Sequence, residues 1–412
     1  MSAKSEIKRR IRKFGKITVA EFMEIALYWP HGGYYTDREA VGAQGDYYTS
    51  PVVHPAFGSL LAVQLFQMWE EMGGPKPFTV LELGAGNGLL CRDIITYAKE
   101  MPGNFASAIR YICLDRRKPE TWEARLPHTG RVLANGLPFK QLEGCILSNE
   151  YLDAFPVHQI IMTKDGLKEV YIALERDGLV EIISELSEPG LAKRFKDLEI
   201  SLVEGQVAEV NLSLDTWSQD VAAALKRGFV LTIDYGHIAR RLYDSNVRFR
   251  GTLVTYHSHI QTDTPLSMIG NQDITAQVDF TSISKSGEQA GLNSLGLVTQ
   301  REFLSNLGLA TLQRRLSSQN LSPRQMQANQ AGILDLVKPG GLGDFKMLFQ
   351  EKNVGAPKLW GVEHSEKVAS LVDSLSVPLL TDRHLALLDG RSFGGDPELE
   401  TFWPSSEFES LG

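Results

Sequence analysis

Cysteine is scarce in this 412-residue chain: there are three, Cys91, Cys113 and Cys145, widely spaced and set in apolar runs. An odd, scattered set excludes a disulfide framework and a cysteine zinc site, and fits reduced core thiols. No apolar run approaches the ~18 residues of a membrane span, and the N-terminus has neither the apolar middle nor the small-residue cleavage site of a secretory signal. Excess positive charge is missing as well. The formal net charge is -8 and the one basic cluster, KRRIRK at 8–13, is short, so no nucleic-acid partner is expected. RRIRKF imitates the start of a mitochondrial presequence, but Ile7 and Ile11 share a helical face with the segment that follows, so the arm is read as mature structure. Internal repeats and low-complexity tracts are absent. A chain of this length with 43% hydrophobic and 22% charged residues can bury a sizeable core.

What is present alternates between strand and helix signals. Helical spacing over Ile17 to Leu27 gives way to a long loop through WPHGGYY and GAQGDYYTSP. HPAFGSLLAVQLFQMWEEM, 54–72, reads as an amphipathic helix stopped by Gly73-Gly74-Pro75. FTVLEL, RYICLD (110–115), GCILSNE (144–150) and FVLTIDYG (229–236) read as buried parallel strands. LLCRDIITYAKEM reads as the helix after the first of them. The predicted fold is an α/β, Rossmann-like sheet, with the ligand outside the carboxyl ends of the strands. Its core is expected over 77–156, 227–247 and 290–352, where TQREFLSNLGL and DFKMLFQEK complete the sheet edge. The remaining pieces are an N-terminal helical and cofactor-covering region (1–76), an antiparallel insertion (157–226), a lid or substrate wall (248–289) and a C-terminal extension (353–412). Two Asp-Gly pairs, at 165–166 and 177–178, mark hairpins in the insertion.

VLELGAGNGLL, 80–90, carries Glu82, Gly84, Ala85, Gly86 and Gly88. A dinucleotide turn needs G-x-G-x-x-G, whereas here the third glycine comes one place early, and no G-K-[ST] follows for a triphosphate. A strand, an acid near its end and three alternating glycines resemble the first motif of class I S-adenosylmethionine methyltransferases. Glycine lets the main chain approach the ligand where a side chain would occupy its space. Glu82 is expected to order the turn or meet the ligand's ammonium through water. Asp115, 27 residues after Gly88 at the end of RYICLD, is expected to accept both ribose hydroxyls. Asn149, Glu150 and Asp153, at the end of GCILSNE, put two carboxylates and an amide where the acceptor would lie. That set suits a guanidinium, which it can orient and whose proton it can take; the bland alternative is a helix cap at Asp153 and a structural Glu150.

ITVAEFMEIALYWPHGGYY, GDYYTSPVVHPAFG, LELGAGNG, SNEYLDAFPVHQ, LTIDYG, TYHSH and GNQDITAQVDFT, spread over nearly the whole chain, resemble in order and spacing the MidA-type methyltransferases. The resemblance implies a class I methyltransferase core and S-adenosyl-L-methionine as methyl donor. In mitochondrial relatives, which assist complex I assembly, it implies dimethylation of a protein arginine on a complex I subunit. By matching motif, Gly84, Gly86 and Gly88 line the cofactor, Asp46, Thr49 and Ser50 approach it from the N-terminal loop, and Asn149, Glu150 and Asp153 border the acceptor, with Asp234 and Tyr235 nearby. The chain departs from the family at three places: LGAGNGLL stands for LGPGRGTL, Asp115 for glutamate, and Gln277 for histidine. Glutamine does not titrate, so no base acts at 277. The expected location is the cytoplasm, or the mitochondrial matrix in a eukaryote.

Other residues attract blander readings. His257 and His259 lack a third metal ligand, so no metal is expected. His31 and His54 are expected in loop packing or caps, and Trp29 in the core. Tyr34, Tyr35, Tyr47 and Tyr48 either cover adenine or anchor their loop. The rival to an enzyme is an assembly chaperone whose bound S-adenosylmethionine only stabilises the fold; a nicotinamide oxidoreductase fits worse, for want of the x-x-G spacing.

Overall fold

The computed structural model describes residues 1–37, 49–119, 121–176, 178–257 and 260–384. Asp46, Tyr47, Tyr48, His259 and the tail after Gly394 lie outside them. The chain forms two compact units: Met1–Ala40 with Glu150–Asp220 and Tyr235–Ala290, here the insertion unit, and Val41–Asn149 with Val221–Asp234 and Gly291–Gly412, here the sheet unit.

The sheet unit holds seven strands: β1 (Phe78–Leu83), β2 (Ile109–Asp115), β3 (Thr129–Leu133), β4 (Leu142–Asn149), β5 (Leu225–Asp234), β6 (Asn293–Thr299) and β7 (Lys346–Lys352). Their order is β6-β7-β5-β4-β1-β2-β3. From β5 to β3 all neighbours run parallel, and β7 runs against both β5 and β6. β1 is buried along all six residues, as a central parallel strand covered on both faces should be. After β1 the chain builds outward through β2 and β3, then returns to pair β4 with the other edge of β1. The strand order therefore reverses between β1 and β4, where an open α/β sheet leaves a crevice outside its carboxyl ends. This is the class I methyltransferase fold.

Three sequence expectations need correction here. DFKMLFQEK is β7, which is internal; the edge is β6, whose NSLGLVT is exposed to half-exposed and glycine-interrupted, so it carries no buried-strand signal. β3, TGRVL, is the other edge and was unread for the same reason. The helix expected from 54 starts at Ala56, α1 (Ala56–Glu71), and is not amphipathic: every residue from Ala56 to Met68 is buried. Its polar Ser59, Gln64 and Gln67 are buried too, as in a helix enclosed on every side by a large core.

In the insertion unit, helix Ala3–Phe14 buries Ile7 and Ile11, and its buried Glu6 holds Arg9 at 2.7 Å and Arg10 at 2.9 Å. The basic cluster is thus partly neutralised within its own helix. A capping box at Thr18 and Glu21 starts helix Val19–Tyr28. Strands Lys16–Thr18, His158–Thr163, Gly166–Glu175, Gly178–Ser184 and Val207–Val210 make one antiparallel sheet, with hairpins closing at Thr163–Gly166 and Glu175–Gly178. The 248–289 stretch, expected as a lid or substrate wall, contains strands Val254–His257, Ile260–Thr262 and Asp273–Thr275 in a second antiparallel sheet, then helix Phe280–Gln289 capped by Asp279. Trp29, expected in the core, is half-buried and donates from Nε1 to the Met1 carbonyl. Among the described residues no helix is long and apolar enough to cross a membrane.

Candidate active site

β1 delivers the glycine turn to the switch point. Gly84, Gly86 and Gly88 have φ of 71°, 51° and 82°, a left-handed sequence that only glycine adopts without strain. Four amides of the turn are bonded internally. Those of Gly84 and Ala85 donate to the Leu114 carbonyl at 2.9 and 3.3 Å, and that of Gly88 to the Ala85 carbonyl at 2.9 Å. The Gly86 amide donates to Asp115 Oδ2 at 3.0 Å, and that of Leu89 to Asn87 Oδ1 at 3.1 Å. Helix α2 (Leu89–Ala98) follows directly, with Gly88 as its left-handed N-cap.

Space beside the turn is one-sided. A Cβ on Gly88 would strike Trp122 at 2.8 Å, whereas one on Gly86 would meet nothing within 4 Å. The open side at Gly86 is room that a side chain would fill and a ligand can use. Asp115 flanks it, half-buried at the end of β2, with Oδ1 accepting from the Arg117 amide at 3.2 Å. Burial raises its pKa, and the backbone amides of Arg117, Gly86 and Arg116 oppose the rise. Each carboxylate oxygen keeps a lone pair for a hydroxyl donor. The turn and Asp115 together fit the methionine and ribose parts of S-adenosylmethionine.

Glu82 is placed differently from a ligand-facing acid. It is 4% exposed, and its Oε2 accepts from Tyr111 Oη at 3.0 Å and Cys113 Sγ at 3.9 Å. Burial drives its pKa up to about 8, against the lowering effect of the tyrosine, so near neutral pH it is mostly a protonated tie between β1 and β2. Thr49 is buried at the start of the short helix Ser50–Val53, and Ser50, fully buried, donates to Gln300 Oε1 at 3.0 Å. His54 caps: its Nδ1 accepts from the Ala56 amide at 3.0 Å, its Nε2 faces Asn329 Oδ1 at 3.1 Å, and burial lowers its pKa to about 3. Cys91, Cys113 and Cys145 are free and buried.

Asn149 ends β4, and the next residue, Glu150, has φ of 50°. A left-handed glutamate is uncommon and places strain at a strand end that the sequence marks as functional. Asp153 is 6% exposed and its Oδ1 has no hydrogen-bond partner. Burial raises its pKa to about 6, with the Ala154 amide and the Tyr235 hydroxyl pulling the other way. Its carbonyl accepts from the Ala276 amide at 3.1 Å, and the Ala154 carbonyl accepts from Tyr28 Oη at 2.8 Å. Sequence reasoning missed Asp273, which Tyr35 Oη reaches at 2.7 Å across 238 residues of chain. No local spacing reports such a pair. Gln277 accepts from Arg248 Nε at 3.1 Å, a contact that a protonated imidazole could not make.

Similarity to known proteins now adds to the geometry. A family model described as S-adenosyl-L-methionine-dependent methyltransferase matches residues 60–298, more than half of the chain. The chain belongs to that family. It is similar to a crystal structure of a Burkholderia thailandensis protein bound to S-adenosyl-homocysteine, with a TM-score of 0.76, 26% identity and coverage of 87% of this chain and 94% of that one. A native structure from the same organism aligns with a TM-score of 0.72 at 25% identity, covering 92% and 95%. The mitochondrial protein arginine methyltransferase NDUFAF7 homolog of Drosophila melanogaster is 29% identical, with 84% of each chain covered. The human mitochondrial protein arginine methyltransferase NDUFAF7 is 27% identical, covering 89% of this chain and 88% of its own. This protein is a methyltransferase whose methyl donor is S-adenosyl-L-methionine.

Proposed function

We propose that the enzyme methylates a guanidinium nitrogen of an arginine on a protein acceptor, with Asn149, Glu150 and Asp153 bordering the acceptor. The observation that carries the reading is Asp153: a buried carboxylate with one oxygen unpartnered, four residues beyond the end of β4. A buried acceptor left open is costly unless a donor arrives, and a guanidinium brings five N–H groups in one plane. The names of the Drosophila and human relatives support the same acceptor.

When bound, S-adenosylmethionine supplies an electrophilic methyl carbon on a positive sulfur. Gly86 leaves room for it, and Asp115 holds the ribose hydroxyls while keeping the turn in shape. Glu150 and Asp153 orient the guanidinium by charge-assisted hydrogen bonds. As the new N–C bond forms and the C–S bond breaks, S-adenosylhomocysteine is the leaving group and the nitrogen's proton passes to Asp153, which is mostly ionised above pH 6. Thr49 would approach the donor, as the MidA-type resemblance also implies for Asp46, and its neighbour Ser50 is tied to Gln300. The MidA-type resemblance points to a complex I subunit, or its homologue, as the acceptor. The compartment follows that acceptor: the matrix for a mitochondrial chain, the cytoplasm for a bacterial one.

The test uses methyl-labelled S-adenosylmethionine and extract from cells lacking this protein. Labelled methylarginine on one protein, absent with Gly86→Val, is the expected result. Label on another residue type contradicts the arginine reading. No label, with donor binding intact, replaces it with a chaperone that holds the cofactor without turnover.

A further inference from the structure

Strand Asp273–Thr275 pairs antiparallel with Val254–His257 so that Asp273 faces Tyr256 and Thr275 faces Val254. Alternate residues share a face of a strand, so Asp273 and Thr275 lie on one side of this small sheet. The Ala276 amide, bonded to the Asp153 carbonyl, brings Asp153 alongside the same strand. Opposite Asp273, the Tyr256 hydroxyl is pushed up to about 12, by burial first and then by Asp153, Asp273 and Glu150.

Two buried oxygens there have no partner: Asp153 Oδ1 and Thr275 Oγ1, the latter on a residue 2% exposed. Asp273, by contrast, is held rigidly. Its Oδ1 accepts from the Ile274 amide at 2.9 Å and its Oδ2 from Tyr35, whose ring stacks on Tyr28 at 5.6 Å and meets the fully buried Tyr34 edge-on at 5.0 Å. Rigid aromatic neighbours fix a carboxylate at little entropic cost.

We infer that Asp153, Asp273 and Thr275 form an acceptor pocket within the insertion unit that selects a planar guanidinium over an ammonium or a neutral urea, with Tyr35 as the residue that positions Asp273. The inference rests on the proposed arginine reading and names the groups that enforce it. Several in-plane donors can reach separated oxygens at once, which three tetrahedral N–H bonds of a lysine do less well and which a citrulline lacks the charge to do strongly.

The experiment uses the full-length enzyme and three probes: N-acetyl-arginine methylamide and its lysine and citrulline counterparts. Each competes against transfer of labelled methyl to the acceptor; if no acceptor is labelled, binding heat to the enzyme loaded with S-adenosylhomocysteine is read instead. The arginine probe should act at least about tenfold more strongly than either counterpart, and Asp273→Asn should weaken it about tenfold while S-adenosylhomocysteine affinity stays within about twofold. Tyr35→Phe should raise the acceptor KM a few-fold, by roughly the worth of one hydrogen bond, with kcat kept. Should Asp273→Asn misfold, Tyr35→Phe and Thr275→Val carry the test. Equal action of the three probes, or unchanged arginine competition in the folded variants, overturns the pocket. Labelled methylarginine formed with normal KM by Asp273→Asn removes the pocket but leaves the arginine reading; label on lysine removes both.

Discussion

Around Gly84–Gly88 the amides of all three glycines and of Ala85 are bonded within the protein, and the proposed donor site consists of space beside Gly86 and a carboxylate already tied to the main chain. Around Asp153 the plan is reversed: side chains are buried, one glutamate is left-handed and two oxygens wait without partners. The first site is a backbone shape and the second is an arrangement of side-chain charge. A backbone shape tolerates new side chains as long as the glycines stay, which explains how LGAGNGLL can stand for LGPGRGTL. A charge arrangement has no such latitude, because losing one member leaves the others buried and unpaired.

The largest effect should therefore come from the charged site. Asp153→Asn is expected to lower kcat about a hundredfold, the scale of a lost proton acceptor, while calorimetric affinity for S-adenosylhomocysteine stays within about twofold. An equal loss in both would make Asp153 part of the donor site and erase the contrast. Next is Asp115→Ala, which removes a ribose acceptor and frees the Gly86 amide: donor Kd should rise about ten- to a hundredfold with acceptor KM unchanged.

The pH profile comes third. Asp153 is charged above about 6, so turnover should fall as pH drops through that value, by about tenfold per unit below it, and Asp153→Asn should flatten that limb. The smallest effect concerns Glu82. Its folded pKa of about 8 lies above the ordinary 4.5, so the folded protein binds the extra proton between these values; its stabilising contribution is full below about 4.5 and is lost as pH rises to about 8. Glu82→Gln should leave Tm unchanged at pH 4.5 and raise it by about 2–4 °C relative to the parent at pH 8.5, read by differential scanning. A variant less stable at alkaline pH would show that Glu82 is held as an anion.

Most of the sheet was legible because β1, β2, β4 and β5 are short, continuous apolar runs, the signature of strands covered on both faces. The edge strands β3 and β6 were not, since half their residues face outward and dilute the pattern. Glycine spacing located the left-handed turn after β1, and Asp115 stands at the end of β2, where a strand-end acid was expected. Glu82, expected to order the turn or to meet the ligand through water, bonds Tyr111 and Cys113 on the neighbouring strand, partners that no local spacing announces. The acidic strand end was half legible. Glu150 and Asp153 sit in one motif, whereas Asp273, Thr275 and Tyr35 reach the same neighbourhood through a strand pairing and a hydrogen bond between distant segments.

The most direct measurement is calorimetric titration of S-adenosylhomocysteine into the parent protein and Gly86→Val, both checked for native circular dichroism. Binding at one site per chain, lost by at least about a hundredfold in the valine variant, is the predicted result, since the new side chain fills the space beside the turn. Equal heats from both folded proteins would contradict the claim that this space holds the donor.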